Sequence, residues 1–242
     1  MSVLTLRLAG PLQAWGASAR FARRTTESAP TKSGVIGMLA AAQGLQRGHD
    51  ATLAQLARLR FGVRIDQPGT RVRDYQTAQH QDTGKLMPVS ERYYLADAVF
   101  VAAVEGEDTL LDELDAALRA PVYAPYLGRR SCPPAQPVRL GLQRSSDLAQ
   151  ALREELWQAS AWYRRQRRRE ATVPLSVLRE ALPHEDGADL LRDQPVSFAA
   201  EFRRHALRAL VTESVYAHNP DAVAFEAVPE HDPFTALEDE TL

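Results

Sequence analysis

The stretch Ala98-Val99-Phe100-Val101-Ala102-Ala103-Val104 is apolar at every position and reads as a strand around which the other elements must be arranged. Val3-Leu4-Thr5-Leu6-Arg7-Leu8 alternates apolar and polar residues, the period of a half-buried strand, and Gly10-Pro11 ends it. Thr31 or Ser33 can cap a helix through Val35, Ile36, Met38, Leu39 and residues 40–42. That helix is apolar nearly all round, so it is expected to lie buried against a sheet. A short amphipathic stretch, residues 52–59, leads into a strand at Phe61-Gly62-Val63-Arg64-Ile65, and Pro68-Gly69 marks a turn. Thr109 to Leu118 predicts a helix with Leu110, Leu111, Leu114 and Leu118 on its apolar face, and a last strand follows near residues 138–142.

Residues 70–94 differ. They are polar and contain Arg71, Arg73, Tyr75, His80, Lys85 and Arg92, which fits a long projecting hairpin better than a core element. The order strand, helix, strand, hairpin, strand, helix, strand predicts an α+β fold, a ferredoxin-like βαββαβ domain over residues 1–144 with the hairpin inserted before its third strand. Residues 145–228 form a smaller C-terminal region, with a helix expected from Asp147 to Tyr163 and an arginine run at 164–169. Residues 229–242 are expected to be a disordered acidic tail.

Composition excludes disorder and a disulfide scaffold: 45% of the 242 residues are hydrophobic and there is one cysteine. The formal net charge of −2 conceals a split. No Lys or Arg follows Arg208, and eight carboxylates do. Residues 1–208 therefore hold all 29 basic residues against 23 acidic ones, a net +6. A basic body with an acidic tail suggests a polyanionic partner. Only Lys32 and Lys85 are lysines, so 27 of the basic residues are arginine, whose planar fork grips phosphate and stacks on bases.

No secretory signal opens the chain, and no stretch approaches the roughly 20 apolar residues that span a bilayer. Cys132 has no zinc-ligand neighbours, and the six histidines never fall at a metal-helix spacing. The expectation is a cytoplasmic protein with no membrane contact, metal or cofactor.

Three stretches suit single-stranded nucleic acid. The first runs from Pro11-Leu12-Gln13-Ala14-Trp15-Gly16 through Arg20, Arg23 and Arg24 to Pro30-Thr31-Lys32-Ser33-Gly34. It gathers cations before a helix start, where free N–H groups and a partial positive charge favour phosphate. A nucleotide P-loop is rejected, because Thr26 and Thr31 stand where that motif needs glycine. The second, Tyr123 to Pro134, combines Tyr126, Gly128, Arg129, Arg130 and Ser131, the arginine-plus-aromatic set that recognises phosphates and unstacked bases. Cys132 there reads as a packed residue, not a nucleophile. The third, Arg73-Asp74-Tyr75-Gln76-Thr77 with His80 and Lys85, is either a binding hairpin or a metal-independent acid–base set.

The segments Leu8 to Gly16, Pro30 to Gly37, Arg73 to Thr77, Glu91 to Ala98 and Tyr126 to Pro133 resemble the CasD family of the type I-E CRISPR Cascade complex. The resemblance implies a noncatalytic RNA-binding subunit that holds the 5′ handle of the CRISPR RNA and caps the backbone. It implies the backbone subunit CasC and the large subunit CasA as partners, with target DNA met only indirectly. The hairpin would be the family's thumb. The RNA-binding residues would be Gln13, Trp15, Arg20, Arg24, Thr31, Lys32, Ser33, Arg73, Tyr75, Tyr126, Gly128, Arg129, Arg130 and Ser131, with core packing the rival role for Trp15. Gln76 stands where family members usually carry His, which weakens the alternative of a repeat endoribonuclease using Tyr75, His80 and Lys85. The resemblance fades beyond about residue 145.

Overall fold

The computed structural model describes residues 1–17, 23–199 and 201–223. The strands are β1 (Ser2–Ala9), β2 (Leu12–Gln13), β3 (Arg23–Arg24), β4 (Arg60–Gln67), β5 (Thr70–Gln76), β6 (Ser90–Ala96), β7 (Val99–Gly106), β8 (Arg139–Arg144), β9 (Thr172–Glu180), β10 (Asp189–Ser197) and β11 (Arg204–His218). The helices are α1 (Lys32–Ala42), α2 (Asp50–Ala57), α3 (Asp108–Arg119), α4 (Leu148–Glu154) and α5 (Ala161–Gln166). Seven strands form one antiparallel sheet in the order β10-β11-β9-β4-β7-β1-β8. The fold is thus α+β, mostly antiparallel, with few helices. No helix among the described residues is long and apolar enough to cross a membrane.

The sheet explains the uninterrupted apolar run at 98–104. Every residue of β7 is buried, because both faces of the sheet are covered. Phe100, Ala102 and Val104 face one cluster with Leu4, Leu6, Leu8, Phe61 and the apolar sides of α1 and α3. Val101 and Ala103 face the opposite cluster with Val3, Leu148, Leu152, Trp157, Val173, Leu175 and Val177. A strand with two buried faces has no polar face to alternate with.

Three features add to or depart from the sequence reading. The boundary expected at 144/145 does not divide the sheet: β9 pairs with β4, so β9, β10 and β11 extend the sheet already begun by the N-terminal half. A hairpin stands where the sequence placed one, with β5 paired to β6, and its base is joined to the body because β6 also pairs with β2 and with β3. The single helix expected from Asp147 to Tyr163 is two helices, α4 and α5, separated at residues 155–160.

A buried ion pair causes that break. Arg64 on β4 is fully buried and grips the equally buried Asp66 through Nε and Nη2 at 2.7 and 2.9 Å. Its other donors go to the carbonyls of Leu152, Glu155 and Leu156 at 2.7–2.8 Å. All five guanidinium hydrogens are thereby used. The Asp66 carboxylate accepts from the Gln158 amide at 2.6 Å, and its carbonyl from Trp157 Nε1 at 3.0 Å. A segment whose amides and carbonyls serve a buried pair cannot also continue a helix.

A second buried network ties the end of the sheet to α1. Asp193 on β10 is fully buried. Its Oδ2 accepts from the Lys32 amide at the first turn of α1, 2.7 Å away. Arg208 on β11 donates to both oxygens of Asp193 at 2.8 Å. The Lys32 ammonium reaches Glu180 on β9 at 2.6 Å. Two cations and two carboxylates thus balance in one place. Asp193→Ala leaves Arg208 and the helix amide without their carboxylate, which in buried pairs costs about 3–5 kcal/mol. The expected outcome is a urea midpoint lowered to match, and a shift worth less than about 1 kcal/mol contradicts this role.

Candidate nucleic-acid interface

The loop after β2 folds back on itself. The Trp15 amide donates to Thr26 Oγ1 at 2.9 Å, and the Glu27 amide to the Trp15 carbonyl at 2.6 Å. This return places Arg24, which is exposed, beside the loop following α3. That loop is held by its own backbone: the Leu127 amide donates to the Cys132 carbonyl at 2.7 Å, and the Cys132 amide to the Arg129 carbonyl at 2.8 Å. The Ala14 amide donates to the Leu127 carbonyl at 3.1 Å. Gly128 takes a left-handed φ of 81°, and a Cβ there would collide with the Ala14 carbonyl. Glycine is required both for the φ and for the close approach.

Arg129 joins the two loops. Its Nη2 donates to the Arg24 carbonyl at 2.9 Å, and its guanidinium lies 4.7 Å over the Tyr94 ring. Its Nη1 has no hydrogen-bond partner among the described residues.

These loops form one wall of an open groove of about 1210 Å³. The facing wall comes from β10, the start of β11 and their connection, with Arg192, Phe202, Arg203, Arg204 and His205. Among the described residues, five arginines line the groove against one carboxylate, Glu27. A second hollow adjoins it and shares Gly128 and Arg203; Ser33, Tyr126, Arg130 and Phe198 are among its lining. The combined surface is concave, strongly cationic and bordered by aromatic rings. That combination suits a flexible polyanion with unstacked bases.

Several residues expected to touch RNA serve the fold instead. Trp15 is fully buried in the core, and its Nε1 donates to Gln13 Oε1 at 3.0 Å. Gln13 is also fully buried and donates to the carbonyls of Leu8 and Ala98 at 3.0 and 2.7 Å. Neither side chain is available to a base. Thr31 is the N-cap of α1, accepting from the Gly34 amide. Lys32 is buried and committed to Glu180, and burial pulls its ammonium below the ordinary lysine value while Glu180 opposes the shift. The phosphate site expected at the start of α1 is filled by the chain's own Asp193. Ser33 borders the second hollow without being exposed.

The remaining expectations fall on accessible surface. Arg24, Arg130 and Ser131 are exposed, and Tyr126 is half-buried. Arg20 lies outside the described residues, as does the acidic tail. On the hairpin, Arg73 is exposed and its guanidinium lies 4.8 Å over the exposed Tyr75 ring. His80 Nδ1 accepts from the amides of Asp82 and Thr83, closing the hairpin's own turn. Burial pushes the Cys132 thiol up, which disfavours a thiolate. Of the run at 164–169, Arg164 pairs with Asp221 at 3.0 Å and Arg167 with Glu170 at 3.1 Å, so two of the five arginines brace local structure.

The facing wall was missed from the sequence. Its signal, Phe202-Arg203-Arg204-His205, repeats the arginine-plus-aromatic pattern of residues 126–130. His205 packs edge-on to Phe198 at 6.4 Å, and burial, reinforced by Arg203, lowers its pKa from 6.5. A histidine lowered in the folded state binds its proton more weakly there than in the unfolded chain. Its contribution to stability is full above about pH 6.5 and is lost as pH falls through the lower folded value. The stability of wild type relative to His205→Asn is therefore expected to decrease on the acid side of that pH, measured by urea unfolding. A pH-independent difference contradicts the assignment.

A family model described as "CRISPR-associated protein (Cas_Cas5)" matches residues 3–210. The chain is 38% identical over 169 residues to the protein of Escherichia coli (strain K12) named "CRISPR system Cascade subunit CasD", a match spanning 62% of this chain and 75% of that one. Among solved structures, one described as "Crystal structure of Cas protein" is similar with a TM-score of 0.68 and 34% identity, covering 92% of this chain and 98% of the other. Another, "CRISPR RNA-guided surveillance complex", is similar with a TM-score of 0.71 and 32% identity, covering 92% and 93%.

Proposed function

Because this chain belongs to the Cas5 family of CRISPR-associated proteins, we propose that it is the CasD subunit of a Cascade surveillance complex, a noncatalytic part that holds the 5′ handle of CRISPR RNA and caps the backbone. The observation that carries this reading is the groove in which, among the described residues, five arginines face one glutamate. The partners are the CRISPR RNA, the CasC backbone subunit and the large subunit CasA, assembled in the cytoplasm. The strand order β4-β7-β1-β8, with α1, α2 and α3 against one face, supports the ferredoxin-like reading of the N-terminal body.

The RNA backbone lies along the groove and on into the adjoining hollow, with phosphates facing Arg24 and Arg129 in the first and Arg130 in the second. Tyr126 offers a ring at the adjoining hollow. The hairpin of β5 and β6 serves as the thumb, presenting Arg73 and Tyr75. A binding role for the hairpin is supported over a cleaving one: His80 is engaged in its own turn, and the Tyr75 ring lies under Arg73.

Arg129 also props the Arg24 loop, so its removal mixes binding with local structure. Arg24 and Arg130 are exposed and separate the two. Arg24→Ala with Arg130→Ala is expected to flatten the dependence of log K on log salt for a labelled single-stranded handle RNA, by about 0.7 for each phosphate no longer neutralised. Fluorescence anisotropy across a salt series measures it. A slope equal to that of wild type would falsify the placement of the RNA at this wall.

A further inference from the structure

The groove's far wall lies beyond residue 145, where the sequence reading expected the resemblance to fade, but inside the stretch of residues 3–210 that the family model matches. Its two phenylalanines are used differently. Phe198 is turned inward: its ring lies over Gly37 of α1, and it packs against the main core. Phe202, four residues later, is 70% exposed at the groove. An aromatic ring left in water beside cations is an available stacking platform.

The charges on this wall point the same way. Arg208 is consumed by Asp193. Arg192, Arg203 and Arg204 have no ion-pair partner among the described residues, and all three line the groove. Glu201 adjoins them in sequence but does not line it. Arg203 borders both hollows, so it sits where a strand passing from one to the other must turn. A protein partner matched to this wall would have to supply carboxylates together with an apolar cover for Phe202. One nucleotide supplies both an anionic phosphate and a flat π-face.

We propose that the β10–β11 connection is a base-stacking clamp, in which Phe202 takes the face of an unpaired RNA base while Arg203 and Arg204 hold the flanking phosphates. This rests on the groove being the RNA site. It adds a recognition element from the C-terminal part of the chain. The base must be unstacked to reach Phe202, so the clamp selects single-stranded RNA over duplex.

The test uses handle RNAs carrying 2-aminopurine at successive positions, titrated with the full chain. Wild type is expected to quench the fluorophore at one position upon binding. Phe202→Ala is expected to abolish that quench and weaken binding by about 10- to 100-fold. Phe202→Trp is expected to restore both. Arg203→Ala with Arg204→Ala is expected to flatten the salt dependence while the quench persists at saturation. Phe202 is exposed, so its variants should melt as wild type does. If wild type binds the RNA but Phe202→Ala binds and quenches equally, the clamp is wrong and the groove assignment stands. If wild type does not bind single-stranded RNA, the groove assignment itself fails. If Phe202→Ala leaves RNA binding intact but detaches the chain from its protein neighbours, the wall is a protein contact and the clamp is overturned.

Discussion

Asp193 at the start of α1 is the contact on which the groove depends. A helix N-terminus buried without an acceptor leaves amide hydrogens unsatisfied. Here the acceptor comes from β10, 161 residues later in the chain, and Arg208 returns the charge balance. With Lys32 and Glu180 the cluster holds two charges of each sign, which offsets the desolvation that buried ions suffer. Gln194 adds a further tie, donating to the Ala57 carbonyl at the end of α2 at 2.7 Å. The last three strands are thereby fixed against the helical layer. Arg192 and the β10–β11 connection are brought opposite Arg129 as a result.

The near wall is built from loops that gain precision from backbone contacts. Gly128 permits the chain to lie against Ala14, Arg129 bridges to the Arg24 carbonyl, and Trp15 and Gln13 anchor the loop beneath. The residues that would meet a ligand are therefore supported by others that never touch it. Such an arrangement limits the ordering cost when a flexible polyanion binds.

Much of the N-terminal body was legible in its sequence because its elements carry their own periodicity. The alternation at 3–8, the unbroken apolar run at 98–104 and the leucines of α3 each report local burial. The exposed loop arginines were legible too, since Gly128 and Tyr126 flag a special loop. What escaped was determined by partners distant in sequence. Nothing near residue 155 announces that Arg64 will take its carbonyls, and nothing near Thr31 announces Asp193. Lys32 read as a phosphate contact because it stands at a helix start, and Trp15 as either an RNA contact or a core residue; burial takes both into the fold. The strand β9 alternates buried and exposed residues, but Pro174 within it and Pro195 within β10 argue against strands in a sheet, and that masked the period.

The central claim is that RNA lies between two walls contributed by distant parts of the chain. Photo-crosslinking an assembled complex whose guide RNA carries 4-thiouridine near its 5′ end, followed by peptide mapping, tests it most directly. Crosslinks are expected in peptides spanning 24–27 and 126–131 and, from the same RNA end, in 202–205. Crosslinks confined to the arginine run at 164–169, or absent from both walls, would contradict the account.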